Sequence, residues 1–86
     1  GQGVKKIEMY FLPDIYIECA RRMGIDPKDQ IVFEDSPRGA KAGVAAGSVV
    51  IGMPVYYTKE VIQKLEDVGV REVYRSWSEV KLTSFS

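Results

Sequence analysis

Glu34 and Asp35 are the two residues of this chain whose type and spacing best suit chemistry. They close the apolar run Ile31-Val32-Phe33, and Ser36-Pro37-Arg38-Gly39 follows at once. An apolar run that stops at two adjacent acids reads as a buried strand delivering carboxylates to the carboxyl edge of a sheet. Open α/β folds place their ligands at that edge. Two carboxylates there suit a hard divalent cation such as magnesium, which takes oxygen ligands. The competing reading is a pair of acids at a solvated sheet edge, one of them capping the next helix.

Other side chains offer less. Ser36 reads as a turn hydroxyl, because a nucleophilic serine needs a base and none is near in sequence. Arg38 belongs on a solvated helix face, although it could meet an anion. Gly39 and Gly43 read as packing residues, since nothing matches a P-loop or a dinucleotide fingerprint. Cys19 is expected to be a small core residue. Tyr56 and Tyr57 read as loop packing, with a cleft lining as the alternative. Trp77 is expected to cover the end of the core, and its exposure would instead point to a missing partner surface.

The bulk composition narrows the classes further. Eighty-six residues make one small domain over residues 1–86, of which 45% are hydrophobic and 28% charged. A chain of this size buries only about 60–65% of its unfolded surface. Twelve basic and twelve acidic residues cancel, so no basic field draws in nucleic acid. Cys19 is the lone cysteine, which makes a reducing cytoplasmic compartment the default expectation. Histidine is absent, which removes the commonest general base and zinc ligand. No apolar run reaches the roughly 20 residues of a membrane span.

The elements that must position the acids follow from periodicity. Val4 to Phe11 alternates as a strand. Pro13 and Asp14 open a helix that runs to about Met23, with Tyr16, Cys19, Ala20 and Met23 as its inner stripe, and Gly24 stops it. Asp26 to Asp29 is a turn, and Gln30 to Phe33 is a short buried strand. A small-residue helix runs from Pro37 to about Ala46. Its two glycines cost roughly 1 kcal/mol each relative to alanine, which close approach to the sheet would offset. Ser48 to Met53 is the next strand. Thr58 caps a third helix with Val61, Ile62, Leu65 and Val68 inward, and Gly69 ends it. Glu72 to Tyr74 is a last strand, and Trp77 to Val80 a single helical turn. Strict alternation predicts an α/β fold of three layers, with about four parallel strands in sequence order and three helices.

Several stretches together resemble one family. They are Leu12-Pro13-Asp14-Ile15-Tyr16, Ala20 to Pro27, Val32-Phe33-Glu34-Asp35-Ser36-Pro37-Arg38-Gly39, Ala45-Ala46-Gly47, Val50 to Pro54, and Val73 to Val80. They are similar to the haloacid dehalogenase-like (HAD-like) hydrolase superfamily, in the branch of β-phosphoglucomutase and sugar-phosphate phosphatases. The matching region is the C-terminal part of the partial Rossmann-like core. The resemblance implies that Asp35 and Glu34 hold Mg2+. It also implies an aspartate nucleophile in an Asp-x-Asp-Gly-Thr run, and no such run occurs here. The family's lysine before the first helix is replaced by Tyr10.

Two expectations about the whole follow. The chain carries the acidic magnesium motif of a phosphatase or phosphomutase but is inactive by itself; the alternative is a non-enzymatic truncated or engineered α/β fold. Absence of the nucleophile strand would also expose the strand ending at Glu34-Asp35. Residues 1–11 are expected to fill that slot as a replacement strand. Otherwise a missing N-terminal half or a second copy of the chain would cover the open sheet edge.

Overall fold

The computed structural model describes residues 12–81. The expected strand over Val4 to Phe11, and its pairing with residues 31–34, lie outside the described residues.

Within them the order is helix α1 (Leu12–Met23), a 3-10 turn (Pro27–Asp29), strand β1 (Ile31–Glu34), helix α2 (Pro37–Ala45), strand β2 (Val49–Gly52), helix α3 (Lys59–Val68), strand β3 (Glu72–Val73) and a 3-10 turn (Trp77–Glu79). The chain is therefore α/β, and its described residues hold three parallel strands in the order β1-β2-β3 and three helices. Ile31 pairs with Val49 and Glu34 with Gly52. The backbone N–H of Val49 donates to the carbonyl of Gln30 at 3.0 Å, and that of Met53 donates to the carbonyl of Glu34 at 2.7 Å. These two bonds bracket β1.

The boundaries follow from local chemistry. Ser36 caps α2, its hydroxyl accepting from the Gly39 N–H at 3.1 Å, with Pro37 preset for the first turn. Thr58 caps α3 by accepting from Val61 N–H at 3.2 Å. α1 ends at Gly24, whose φ of 72° lets Ile25 N–H turn back to the Ala20 carbonyl at 3.0 Å.

The small residues of α2 sit where the sheet is closest. A side-chain carbon at Gly43 would lie 2.7 Å from Val50 Cγ2, too near for any real contact. The core joins Val32, Ala40, Val50 and Leu65, with Tyr16, Val44, Val61, Val68, Val70 and Val73 packed around them. Leu65 is fully buried over Gly52, where a side-chain carbon would come within 3.0 Å of it.

All three helices pack on one face of the sheet. α2 rests on β1 and β2 and touches both α1 and α3. A second outer layer, expected from the three-layer arrangement, is not among the described residues. The opposite face instead carries Trp77, whose ring lies 4.6 Å from that of Phe33.

Several burial expectations are corrected. Cys19 is exposed, and so is Met23 at 56%. α1 touches the rest of the fold mainly through α2, so only Tyr16 and Ala20 of the expected stripe turn inward. Trp77 is 64% exposed and does not close the core; its ring lies beside that of Phe33. β1 is not uniformly buried either: alternation puts Val32 in the core and Ile31 on the outer face.

Candidate functional site

Glu34 is the last residue of β1, and Asp35 follows it in the bend before α2. Alternation along β1 turns Glu34 to the same side as Val32, toward the helices. Its carboxylate lies over the first turn of α2. It occupies the volume that a side chain at residue 39 would need, which is why glycine stands there. The cap itself is Ser36, not either acid. Asp35 is exposed at the carboxyl edge of the sheet.

Two protein donors hold the Glu34 carboxylate. The Tyr16 hydroxyl, from α1, donates to Oε2 in a short hydrogen bond. The Asp35 N–H donates to Oε1 at 3.2 Å. Burial first, and then the hydrogen bond to Glu34 and its charge, push the Tyr16 phenol up to about 12. Tyr16 therefore stays protonated, and a donor, across the physiological range. Its backbone is fixed as well. Gln30, only 4% exposed, donates from Nε2 to the Tyr16 carbonyl at 3.0 Å and to Ser48 Oγ at 3.1 Å.

The sequence pointed to Glu34 and Asp35, and the fold brings them together at one strand tip. Tyr16 packs against the core as its place on the inner stripe predicts, and its hydroxyl also reaches the Glu34 carboxylate; Gly39 makes room for that carboxylate, where the sequence suggests close approach to the sheet. One signal was available for Tyr16. A tyrosine rather than a phenylalanine on an inward stripe has a hydroxyl that must find a partner. Gly39 carries no comparable signal, since its neighbour is the Glu34 side chain folded back over the helix, not the sheet backbone expected beside a small residue.

The donor set suits a hard cation. Both groups are carboxylates, and an ionised carboxylate offers about four acceptor positions, of which two on Glu34 are used by Tyr16 and Asp35. Asp35 presents its carboxylate outward. Among the described residues no cluster of three or more His, Cys, Asp or Glu side chains is arranged to hold a metal ion. Arg38 is exposed and lines a groove with Pro13, Lys41, Ala42 and Ala45. Tyr57 is held by Arg75, whose guanidinium carbon lies 4.8 Å from the ring centre, while Tyr56 is exposed. Among the described residues no helix is long and apolar enough to cross a membrane.

No family model matches the chain. Individual proteins do. A bifunctional riboflavin kinase/FMN phosphatase of Arabidopsis thaliana is 43% identical over 68 residues, which is 70% of this chain and 18% of that protein. A probable pseudouridine-5'-phosphatase of Drosophila melanogaster is 48% identical over 44 residues, 49% of this chain and 19% of that one. A fructose-1-phosphate phosphatase of Escherichia coli (strain K12) is 49% identical over 35 residues, 41% of this chain and 19% of that one. Among solved structures, a HAD family hydrolase from Deinococcus radiodurans R1 with bound phosphate and sodium superposes with a TM-score of 0.71 at 32% identity. The match covers 84% of this chain and 32% of that one. The chain thus spans about a fifth of the length of the curated relatives it matches. The parallel fold, the acids at its strand tip and these relatives agree: the chain belongs to the HAD-like hydrolase superfamily.

Proposed function

We propose that the chain is the C-terminal portion of a magnesium-dependent HAD-like phosphatase or phosphomutase core, acting on phosphate monoesters. Asp35 holds the cation through its outward carboxylate, and Glu34 supports it from the strand tip. The single observation behind this reading is the placement of both acids at the carboxyl end of β1, in a chain whose relatives are phosphatases. When bound, the cation neutralises charge on a phosphate oxygen.

The residues of this chain do the rest of what it contributes. Ser36 starts α2 immediately after the acids, so the positive end of that helix dipole faces the same edge. The Met53–Glu34 backbone bond fixes the strand tip. Tyr16 keeps the Glu34 carboxylate off solvent on one side.

Covalent phosphoryl transfer needs a positioned carboxylate nucleophile. No Asp-x-Asp-Gly-Thr run occurs in the 86 residues. We therefore read the isolated chain as inactive, with the nucleophile supplied by a missing N-terminal half. A second copy of the chain would cover the edge of β1 that is unpaired among the described residues.

An assay with an aryl phosphate and Mg2+ tests this. The isolated chain should show no turnover. Adding the N-terminal half of a relative should restore it, and Asp35→Asn should abolish the restored activity. Turnover by the isolated chain that Asp35→Asn removes would overturn the division of labour. Sizing chromatography addresses the edge: a dimer fits pairing of copies, and a clean monomer excludes it.

A further inference from the structure

We propose that Tyr16 is a positioning residue for Glu34: its hydroxyl, together with the room that Gly39 leaves, holds the carboxylate in the one orientation that leaves Asp35 as the open cation ligand. This rests on the magnesium reading of the acidic pair and deepens it.

Three independent features converge on the Glu34 carboxylate. Tyr16 donates to Oε2 from α1, and the Asp35 N–H donates to Oε1 from the bend. Gly39, in the first turn of α2, removes the side chain that would otherwise collide with both oxygens. A glutamate at an exposed strand end has three rotatable bonds and samples many orientations. Here the donors come from two different elements, and the third supplies only room. That is an arrangement for orienting a group, not for burying one. Tyr16 is itself held, since its carbonyl accepts from the buried Gln30 amide. The hydroxyl therefore reaches Glu34 from a fixed base.

The consequence is a division between the two acids. With an oxygen of Glu34 committed to Tyr16 and the other to the Asp35 backbone, its carboxylate is oriented by the protein. Asp35 has no such restraint from Tyr16 and faces outward. Partners of this kind that orient a ligand typically change metal affinity by about 10- to 100-fold when removed.

The test uses the full chain and Mn2+ as the probe, titrated by water-proton relaxation. Tyr16→Phe keeps the ring and removes the hydroxyl. Gly39→Ala favours the helix but drives the carboxylate from its seat, which a flexible side chain can accommodate without unfolding. Each should weaken Mn2+ binding about tenfold, with an unchanged far-UV circular dichroism spectrum. Because both act on the same carboxylate, the double variant should be no weaker than the weaker single one. A merely structural role would give additive losses instead. Without metal, the Glu34 carboxyl carbon resonance should move in Tyr16→Phe, which reports the hydrogen bond itself. Equal or tighter Mn2+ binding by Tyr16→Phe would overturn the positioning role and leave the magnesium reading standing. A parent chain that binds no Mn2+ at millimolar concentrations would overturn the magnesium reading, and the positioning role with it, even if the resonance shift is present.

Discussion

Helices α1 and α3 are near in length and are both rich in apolar residues, yet they are attached to the fold by different means. α3 keeps Val61, Ile62, Leu65 and Val68 on one side and drives Leu65 fully into the core over Gly52. α1 spreads its apolar residues around the helix. Ile15, Ile17 and Met23 are exposed, whereas Tyr16 and Ala20 turn inward. α3 is therefore held by an apolar knob. α1 is held by the buried Ala20 and by one tyrosine, which packs against the core and is hydrogen-bonded at both ends. The lesson is that hydrophobic content does not measure attachment; the angular spacing of the apolar residues does.

Mutation can break this contrast. Leu65→Ala should have the largest effect, a loss of about 3 kcal/mol in urea unfolding, because a fully buried leucine leaves both a cavity and lost contact. Gly43→Ala should cost about 1 kcal/mol on the same scale. The gain in helix propensity is outweighed by overlap with the stiff Val50 side chain. On α1 the ranking inverts: Tyr16→Phe should cost about 1 kcal/mol through one hydrogen bond to a charged group. Ile17→Ala, the larger apolar truncation, should stay within about 0.5 kcal/mol. If Ile17→Ala proves the costlier of those two, the account of α1 is wrong.

The smallest effect concerns acid. Glu18 accepts hydrogen bonds from Arg21 and Arg22, which lower its carboxyl to about 2. A depressed carboxyl means that the unfolded chain binds the proton first. Its contribution is present above the ordinary glutamate range and is lost as pH falls toward 2. Glu18→Gln should therefore flatten the acid limb of a stability–pH profile slightly, since the pair is solvent-screened.

Much of the fold was legible before any coordinates. Pro37 with Ser36, Thr58, and the glycines after each helix set boundaries that the structure reproduces to within a residue or two, because caps and left-handed stops are local chemistry. The strand tip carrying Glu34 and Asp35 was legible for the same reason: polarity changes abruptly there. What the sequence hid was facing. Cys19 and Met23 share the spacing of Tyr16 and Ala20, and nothing in that spacing says that α1 meets the fold over only part of one side. The size of Trp77 suggests burial, yet the residue lies beside the Phe33 ring and stays 64% exposed. The Tyr16–Glu34 contact was hidden because it joins residues 18 apart through side-chain reach, which no local pattern records.

Mechanically, α1 and β1 form a joint with two bolts. Gln30 at one end of the strand grips the main chain of Tyr16, and Glu34 at the other end grips its ring tip. A hinge needs one pivot, and two pivots make a bracket. Any rotation of α1 about its own axis, from whatever molecule presses on its exposed outer flank, must drag the strand-end carboxylate with it or snap a bolt.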